Sequence, residues 1–165
     1  MTEQTITPRP ATPGDVPAIL SFIRALADYE KLTHACIATE RLLHEHLFGS
    51  HPAAEVLIAE VSGKPVGFAL FFGTFSTFLA KPGIYLEDLF VVPEARGLGV
   101  GKALLLAVAK IAADRNCGRL EWTVLDWNEP AIGFYKKLGA VPLEDWTTYR
   151  VTGEALAKLA AQPAD

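Results

Sequence analysis

Six residues, Arg96-Gly97-Leu98-Gly99-Val100-Gly101, constrain this chain more than any other stretch. They follow an apolar strand-like run, Leu89-Phe90-Val91-Val92, and precede a long run with helical apolar spacing that starts at Val100. The segment therefore reads as strand, glycine turn, helix. Such a turn aims several backbone N–H groups at one point. The unpaired amides of the helix's first turn and the positive end of its dipole reinforce them, which makes a receptor for phosphate oxygens. Arg96 adds a fixed positive charge on the approach side.

Two familiar phosphate loops fail here. A Walker loop ends in Gly-Lys-Ser/Thr, but Ala103 follows Gly101-Lys102, so no hydroxyl is available for magnesium. A dinucleotide loop needs G-x-G-x-x-G and an acidic partner about 20 residues on. Gly97, Gly99 and Gly101 have the wrong third spacing. What remains is Arg-x-x-Gly-x-Gly, carried by Arg96, Gly99 and Gly101. The competing reading is a tight turn that binds nothing, since glycine punctuates many loops.

The length of 165 residues suits a single domain, 1–165. Half of the residues are hydrophobic, yet no apolar run reaches the roughly 18 residues of a membrane span. Met1-Thr2-Glu3-Gln4 lacks the basic and apolar regions of a secretory signal. Cys36 and Cys117 have no metal-ligand spacing and suit reduced thiols in a cytoplasmic protein. A formal charge of −4, from 19 acidic and 15 basic residues, argues against nucleic acid as a partner. It is compatible with a cationic substrate. His44 and His46 are spaced to lie on different sides of a helix, and with His34 and His51 they find no further ligand at useful spacing. No metal is expected.

The order of elements comes from periodicity and punctuation. A short strand is expected around Thr5 to Arg9, then a helix capped at Thr12-Pro13-Gly14-Asp15 and running to about Glu30. A second helix starts at Thr39-Glu40 and ends near Gly49. Glu55–Val61 and Val66–Phe75 read as an antiparallel hairpin across Ser62-Gly63-Lys64-Pro65, and Tyr85–Val92 as the next strand. A long helix follows the glycine turn as far as Asn116-Cys117-Gly118. Arg119–Leu125 is expected as a strand, Asn128 to Leu138 as a helix stopped by Gly139, and Trp146–Val151 as a last strand. A short helix from Thr152 to about Ala160 completes the pattern, that of an α/β mixed sheet with helices on both faces. Phe68, Phe71, Phe72, Phe75 and Phe78 read as core and cleft wall.

Several longer segments carry a resemblance. Arg9-Pro10-Ala11-Thr12, Ala27-Asp28-Tyr29-Glu30, Tyr85-Leu86-Glu87-Asp88-Leu89-Phe90-Val91 and Trp127-Asn128-Glu129-Pro130-Ala131-Ile132-Gly133-Phe134-Tyr135-Lys136 frame the glycine loop. Together they resemble the spermidine/spermine (diamine) and thialysine acetyltransferases of the GNAT superfamily, from about Arg9 to Tyr149. The resemblance implies the GNAT acyltransferase fold: a mixed, mostly antiparallel sheet with helices on both faces and a splayed parallel strand pair. It implies an acetyl-CoA-dependent N-acetyltransferase acting on a small cationic diamine, polyamine or thialysine-like amine, and a homodimer. One segment departs from the family: Leu143-Glu144-Asp145-Trp146 is shorter than the family's acidic stretch.

The same resemblance distributes roles. Leu89, Phe90 and Val91, the loop Arg96, Gly97, Leu98, Gly99, Val100 and Gly101, and Lys102 would hold acetyl-CoA, as would Asn128, Glu129, Pro130 and Ala131. A backbone N–H on the strand would face the developing oxyanion. For Asn128 a plain helix cap is the rival reading. Tyr135 occupies the place of the family's general acid, and a phenol that titrates near 10 can protonate a thiolate. Its rival role is a core tyrosine. Glu87 would take the amine's proton through a water, while Asp88, on the opposite face by strand alternation, would be structural. Tyr29, Glu30, Glu87, Glu121, Trp122 and Thr123 would contact the amine, with Glu144 or Asp145 as weaker candidates. Two other functions stay open: a GNAT enzyme for another amine, such as an amino acid, aminoglycoside or protein N-terminus, and a coenzyme A-binding regulatory module without turnover.

Overall fold

The computed structural model describes residues 6–163. It resolves into two compact units that divide between Leu125 and Asp126. The first is built on a five-stranded sheet in the order β1-β2-β3-β4-β5: Arg9–Pro10, Glu55–Val61, Lys64–Ser76, Lys81–Val91 and Leu120–Glu121. Pairing is antiparallel through β4, while β5 joins β4 in parallel. Helices α1 (Val16–Tyr29), α2 (Glu40–Phe48) and α3 (Val100–Asp114) complete this unit.

Local chemistry sets the boundaries. Ser62 and Gly63 both take positive φ, the two-residue turn that matches strand twist, so β3 starts at Lys64 and includes Pro65. At the head of α1, the Asp15 carboxylate accepts from the Thr12 backbone N–H at 2.7 Å and from the Arg9 guanidinium at 2.8 and 2.9 Å. Arg9 also donates to Glu60 on β2 at 3.0 Å. The Arg9 guanidinium, helped by Thr12, holds the buried Asp15 carboxyl well below the usual carboxylate range. Its contribution to stability is therefore present above the unfolded pKa and is lost as pH falls through the folded one. The Thr39 hydroxyl caps α2 by accepting from Leu42 N–H at 3.3 Å.

The sheet is covered on both faces. Ile19 and Phe22 of α1 and Leu47 of α2 pack on Val56, Ile58, Phe68 and Phe90. Phe71, Ile84 and Leu86 lie on the opposite face, against α3 with its buried Leu104 and Val108. Phe68 and Phe71 are thus core, as expected. Phe75 and Phe78 are not: they stand exposed near the turn of the β3–β4 hairpin, Phe78 almost completely.

β4 contains the irregularity that positions the site. Leu86 pairs with Phe71, but Asp88 pairs with Leu70, so Glu87 is an extra residue on β4. This bulge inverts the alternation. Upstream, Ile84 and Leu86 face α3; downstream, Asp88 and Phe90 face α1. The parallel ladder with β5 covers only Ile84↔Leu120 and Tyr85↔Glu121. Beyond Tyr85, β4 has no parallel neighbour among the described residues, so the pair splays from there, as the resemblance implies for this fold.

β5 is shorter than expected, and Trp122 and Thr123 lie outside the ladder because β4 diverges from them. The expected first strand is reduced to Arg9–Pro10, and Thr5 lies outside the described residues. The second unit holds α4 (Glu129–Lys137) and α5 (Gly153–Ala160). Gly139, with φ of 87°, ends α4 as expected. Trp146–Val151, expected as a strand, pairs with no strand among the described residues. It contains aromatic and β-branched residues suited to a strand, but a strand is completed only by a partner's hydrogen bonds.

Candidate active site

The glycine loop fits its expected geometry. A short 3-10 turn, Pro93–Ala95, carries the chain from β4 to Arg96, and α3 starts at Val100. Gly97 and Gly99 have φ of 77° and 86°, conformations that disfavour a Cβ. Gly101 is different: it is helical, and a Cβ there would meet only the Val91 side chain, at an ordinary 3.7 Å. Glycine costs an α-helix up to about 1 kcal/mol relative to alanine. The fold does not require Gly101, which leaves a bare helix terminus beside an exposed loop, Arg96 to Gly99. These residues suit the pyrophosphate of a coenzyme, with the loop and first-turn amides as donors and Lys102 as a second cation.

Arg96 is already engaged. Its Nε donates to the Val91 carbonyl at 3.0 Å. Its guanidinium carbon stands 5.2 Å from the Tyr29 ring centroid and 5.7 Å from that of Phe90. Tyr29, the last residue of α1, thereby touches the side chain that guards the loop.

Below that contact lies a cavity of about 500 Å³ between α1, the 31–39 connection, α2 and β4. Its wall is largely aliphatic, with Ile23, Leu26 and Leu43 among its residues, and it contains the carboxylates of Glu30 and Asp88. Burial, reinforced by the charges of Glu87 and Glu30, pushes the Asp88 carboxyl up to about 6. Burial also raises Glu30. Two carboxylates in an apolar wall, both destabilised as anions, are groups that a bound cation would stabilise. Glu87 is exposed on the bulge and close enough to act on Asp88.

The other expected amine contacts differ in character. The Glu121 carboxylate is paired with Arg119 at 2.9 Å, so much of its charge is already balanced. The Tyr85 hydroxyl and the Thr123 hydroxyl are hydrogen-bonded at 3.2 Å, and Tyr85 stacks on Phe72. Trp122 follows Glu121 past the end of the ladder. Thus Tyr29, Glu30, Arg96, Phe90 and Asp88 are drawn together, whereas Glu121 to Thr123 extend from the parallel partner strand. Asp88, expected as a structural residue on the face opposite Glu87, instead lies in the wall of the cavity.

In the second unit, Asn128 is buried and its Oδ1 accepts from Ala131 N–H at 3.4 Å, the cap of α4. Pro130 lies in the first turn after Glu129, where its missing N–H is harmless. Tyr135 is half-buried, 5.4 Å from the Phe134 ring, on the last turns of the helix beside Lys136 and Lys137. Glu144 and Asp145 are exposed. Among the described residues no group of three or more His, Cys, Asp or Glu side chains is arranged to hold a metal ion. No described helix is long and apolar enough to cross a membrane.

A mixed sheet, a splayed parallel pair and a glycine loop opening α3 are the architecture of an acyltransferase fold. A solved integron cassette protein from the mobile metagenome of V. cholerae shares it with a TM-score of 0.80 and 30% identity, over 95% of this chain and 98% of that one. Residues 22–140 match the acetyltransferase (GNAT) family, and the chain belongs to that family. Among its relatives, the Bos taurus thialysine N-epsilon-acetyltransferase is 40% identical, over 93% of this chain and 96% of that protein. The Homo sapiens spermidine/spermine N(1)-acetyltransferase-like protein 1 is 36% identical over 92% of this chain, which spans 23% of that longer protein.

Proposed function

We propose that this chain transfers an acetyl group from acetyl-CoA to the primary amine of a small diamine, polyamine or thialysine-like substrate, by direct attack within a ternary complex. The observation that carries this reading is the aliphatic cavity with Glu30, at the end of α1, and Asp88, on the strand that leads into the glycine loop, in its wall. Two named relatives, acetyltransferases of thialysine and of the spermidine/spermine type, support the substrate class. The family match crosses the division between the two units, which supports one catalytic domain over residues 1–165. A cytoplasmic homodimer is part of the same proposal, and sedimentation tests it.

Acetyl-CoA supplies an activated thioester carbonyl. The loop Arg96–Gly101 and Lys102 grip its pyrophosphate, the backbone of Leu89, Phe90 and Val91 aligns its pantetheine arm, and Asn128, Glu129, Pro130 and Ala131 meet it from the head of α4. A backbone N–H of the splayed strand faces the negative charge that develops on oxygen. Tyr29, Glu30 and Asp88 receive the ammonium, with Glu121, Trp122 and Thr123 along its path. A primary amine titrates near 10.4 and arrives protonated at neutral pH. Glu87, exposed on the bulge, takes that proton through a water and passes it to solvent. Tyr135 returns a proton to the departing sulfur. Neither Cys36 nor Cys117 lies in a motif suited to an acetyl-enzyme, which supports direct attack.

Thiol release from acetyl-CoA, measured against diamines, polyamines, thialysine, other amino acids, aminoglycosides and N-terminal peptides, tests the function. Turnover should concentrate on the first three classes. Coenzyme binding without thiol release on any amine would favour a regulatory module instead.

Asp88 yields a prediction with two signs. Its folded pKa, about 6, lies above the ordinary carboxylate value near 3.9, so the native state binds more protons between these pH values. Stability therefore falls as pH rises from about 4 to about 6, and the cost persists above. Asp88→Asn should raise stability at pH 7 by on the order of 1–2 kcal/mol, discounted for partial exposure. It should also lower kcat/KM for the amine at least about tenfold, as the loss of a charge-assisted contact. Thermal melts and amine kinetics on this variant check both; unchanged kinetics would remove Asp88 from the acceptor site.

A further inference from the structure

We infer that Tyr29 is a positioning residue for the coenzyme: its ring, with that of Phe90, holds the Arg96 guanidinium over the glycine loop in the orientation that meets the pyrophosphate. The inference rests on the pyrophosphate reading of that loop. It gives Tyr29 a role on the coenzyme side, distinct from the contact with the amine assigned to it by resemblance.

Three independent contacts fix Arg96. The Tyr29 ring lies 5.2 Å from the guanidinium carbon, the Phe90 ring 5.7 Å, and the Val91 carbonyl accepts from Nε at 3.0 Å. Such distances fall within cation–π range. An exposed arginine otherwise samples many rotamers, and ordering it on binding costs affinity. A guanidinium within cation–π reach of two rings and hydrogen-bonded at Nε has lost much of that freedom before the ligand arrives. Its remaining N–H groups lie in the plane of the fork, as bidentate recognition of phosphate oxygens requires.

Both rings belong to the α1 side of the sheet. Tyr29 ends α1, and Phe90 packs against Phe22 of the same helix with ring centroids 6.2 Å apart. Glu30 is the next residue after Tyr29, and Asp88 lies two residues before Phe90. The side chain that meets the coenzyme is thus seated on the same helix and strand that form the acceptor cavity. Arg96 therefore joins the two substrate sites physically.

The test is calorimetric titration of coenzyme A, in the absence of amine, into the full chain and into Tyr29→Leu, Tyr29→Phe, Arg96→Gln and the Tyr29→Leu/Arg96→Gln double variant. Arg96→Gln should weaken coenzyme A about tenfold or more, as loss of a charged phosphate contact. Tyr29→Leu should weaken it about three- to fivefold, the scale of an exposed cation–π contact, while Tyr29→Phe stays within about twofold. In the Arg96→Gln background, Tyr29→Leu should have no further effect, because the ring acts only through the guanidinium. Pantetheine, which lacks the pyrophosphate, should compete equally well for wild type and Tyr29→Leu. If Arg96→Gln leaves affinity unchanged, the pyrophosphate reading itself fails. If Arg96→Gln weakens binding but Tyr29→Leu does not, or the two effects add, the positioning role is overturned. Tyr29→Gln, read by the same titrations, serves should the leucine variant not fold.

Discussion

Gly101→Val should cost the protein its coenzyme while leaving its fold intact. A Cβ at Gly101 finds only the Val91 side chain, at 3.7 Å, and the residue is already helical, so the first carbon of the new side chain meets no clash. Valine is also a better helix former than glycine, by a few tenths of a kcal/mol, so the melting temperature should hold or rise slightly. The branched side chain would, however, stand where the first-turn amides must approach a phosphate, and backbone N–H···O bonds tolerate little added distance. Affinity for acetyl-CoA should fall by about tenfold to a hundredfold, roughly 1.4–2.8 kcal/mol. Amine affinity in the absence of coenzyme should not move. Gly99→Val is a poorer test, because its φ of 86° imposes backbone strain whatever binds. A folded Gly101→Val protein with wild-type affinity for acetyl-CoA would dismiss the pyrophosphate assignment.

The contrast between these two glycines illustrates how the sequence and structure divide the information. The loop was legible because its parts are local: a strand, glycines at short spacing, and an apolar run with helical period. The boundaries of α1, α2, α3 and α4 were legible for the same reason, through caps at Thr12, Thr39 and Asn128 and stops near Asn116 and Gly139. Which glycine the fold needs, and which it could replace, emerges only from the surrounding atoms.

Asp88 shows the opposite limit. Alternation along Tyr85–Val92 places Leu86, Asp88 and Phe90 on one face, and that expectation breaks at Glu87, where one extra residue shifts the register. A bulge depends on how many residues the neighbouring strand offers, so nothing in β4 alone announces it. The same shift sends Asp88 toward α1 and the cavity, raises its pKa and leaves Glu87 exposed. The consequence is chemical: of two adjacent acids, Asp88 sits in the cavity wall with its carboxyl pushed up to about 6, while Glu87 stands exposed. Two expected strand segments find no partner strand among the described residues. Trp122 to Leu125 and Trp146–Val151 have strand composition, yet among the described residues neither joins a ladder, since β propensity acts only where a partner strand is in reach.

Tyr135→Phe should give the largest fall in turnover of any single-atom change in this protein. The substitution removes one hydroxyl and keeps the ring, so the packing of Tyr135 beside Phe134 on α4 should be preserved. General acid catalysis is typically worth about 100- to 10,000-fold, which sets the expected loss in kcat. The departing thiolate, with a conjugate acid near the cysteine value of roughly 8.5, would then have to leave as an anion or wait for solvent to protonate it. Acetyl-CoA affinity should stay within about threefold, because the proposed coenzyme contacts lie in the glycine loop, the splayed strand and the head of α4 rather than at the phenol. The pH–rate profile adds an independent sign. With the acid removed, activity should fall off less steeply at high pH, since there is no longer a phenol to lose its proton. A purely structural tyrosine predicts the reverse set: a lower melting temperature, normal kcat per folded molecule and an unaltered alkaline limb. Measuring kcat, coenzyme affinity, melting temperature and the pH profile on this one protein separates the two. Turnover within about threefold of wild type in a stable variant would exclude proton donation by Tyr135, because even the weakest such acids contribute about a hundredfold.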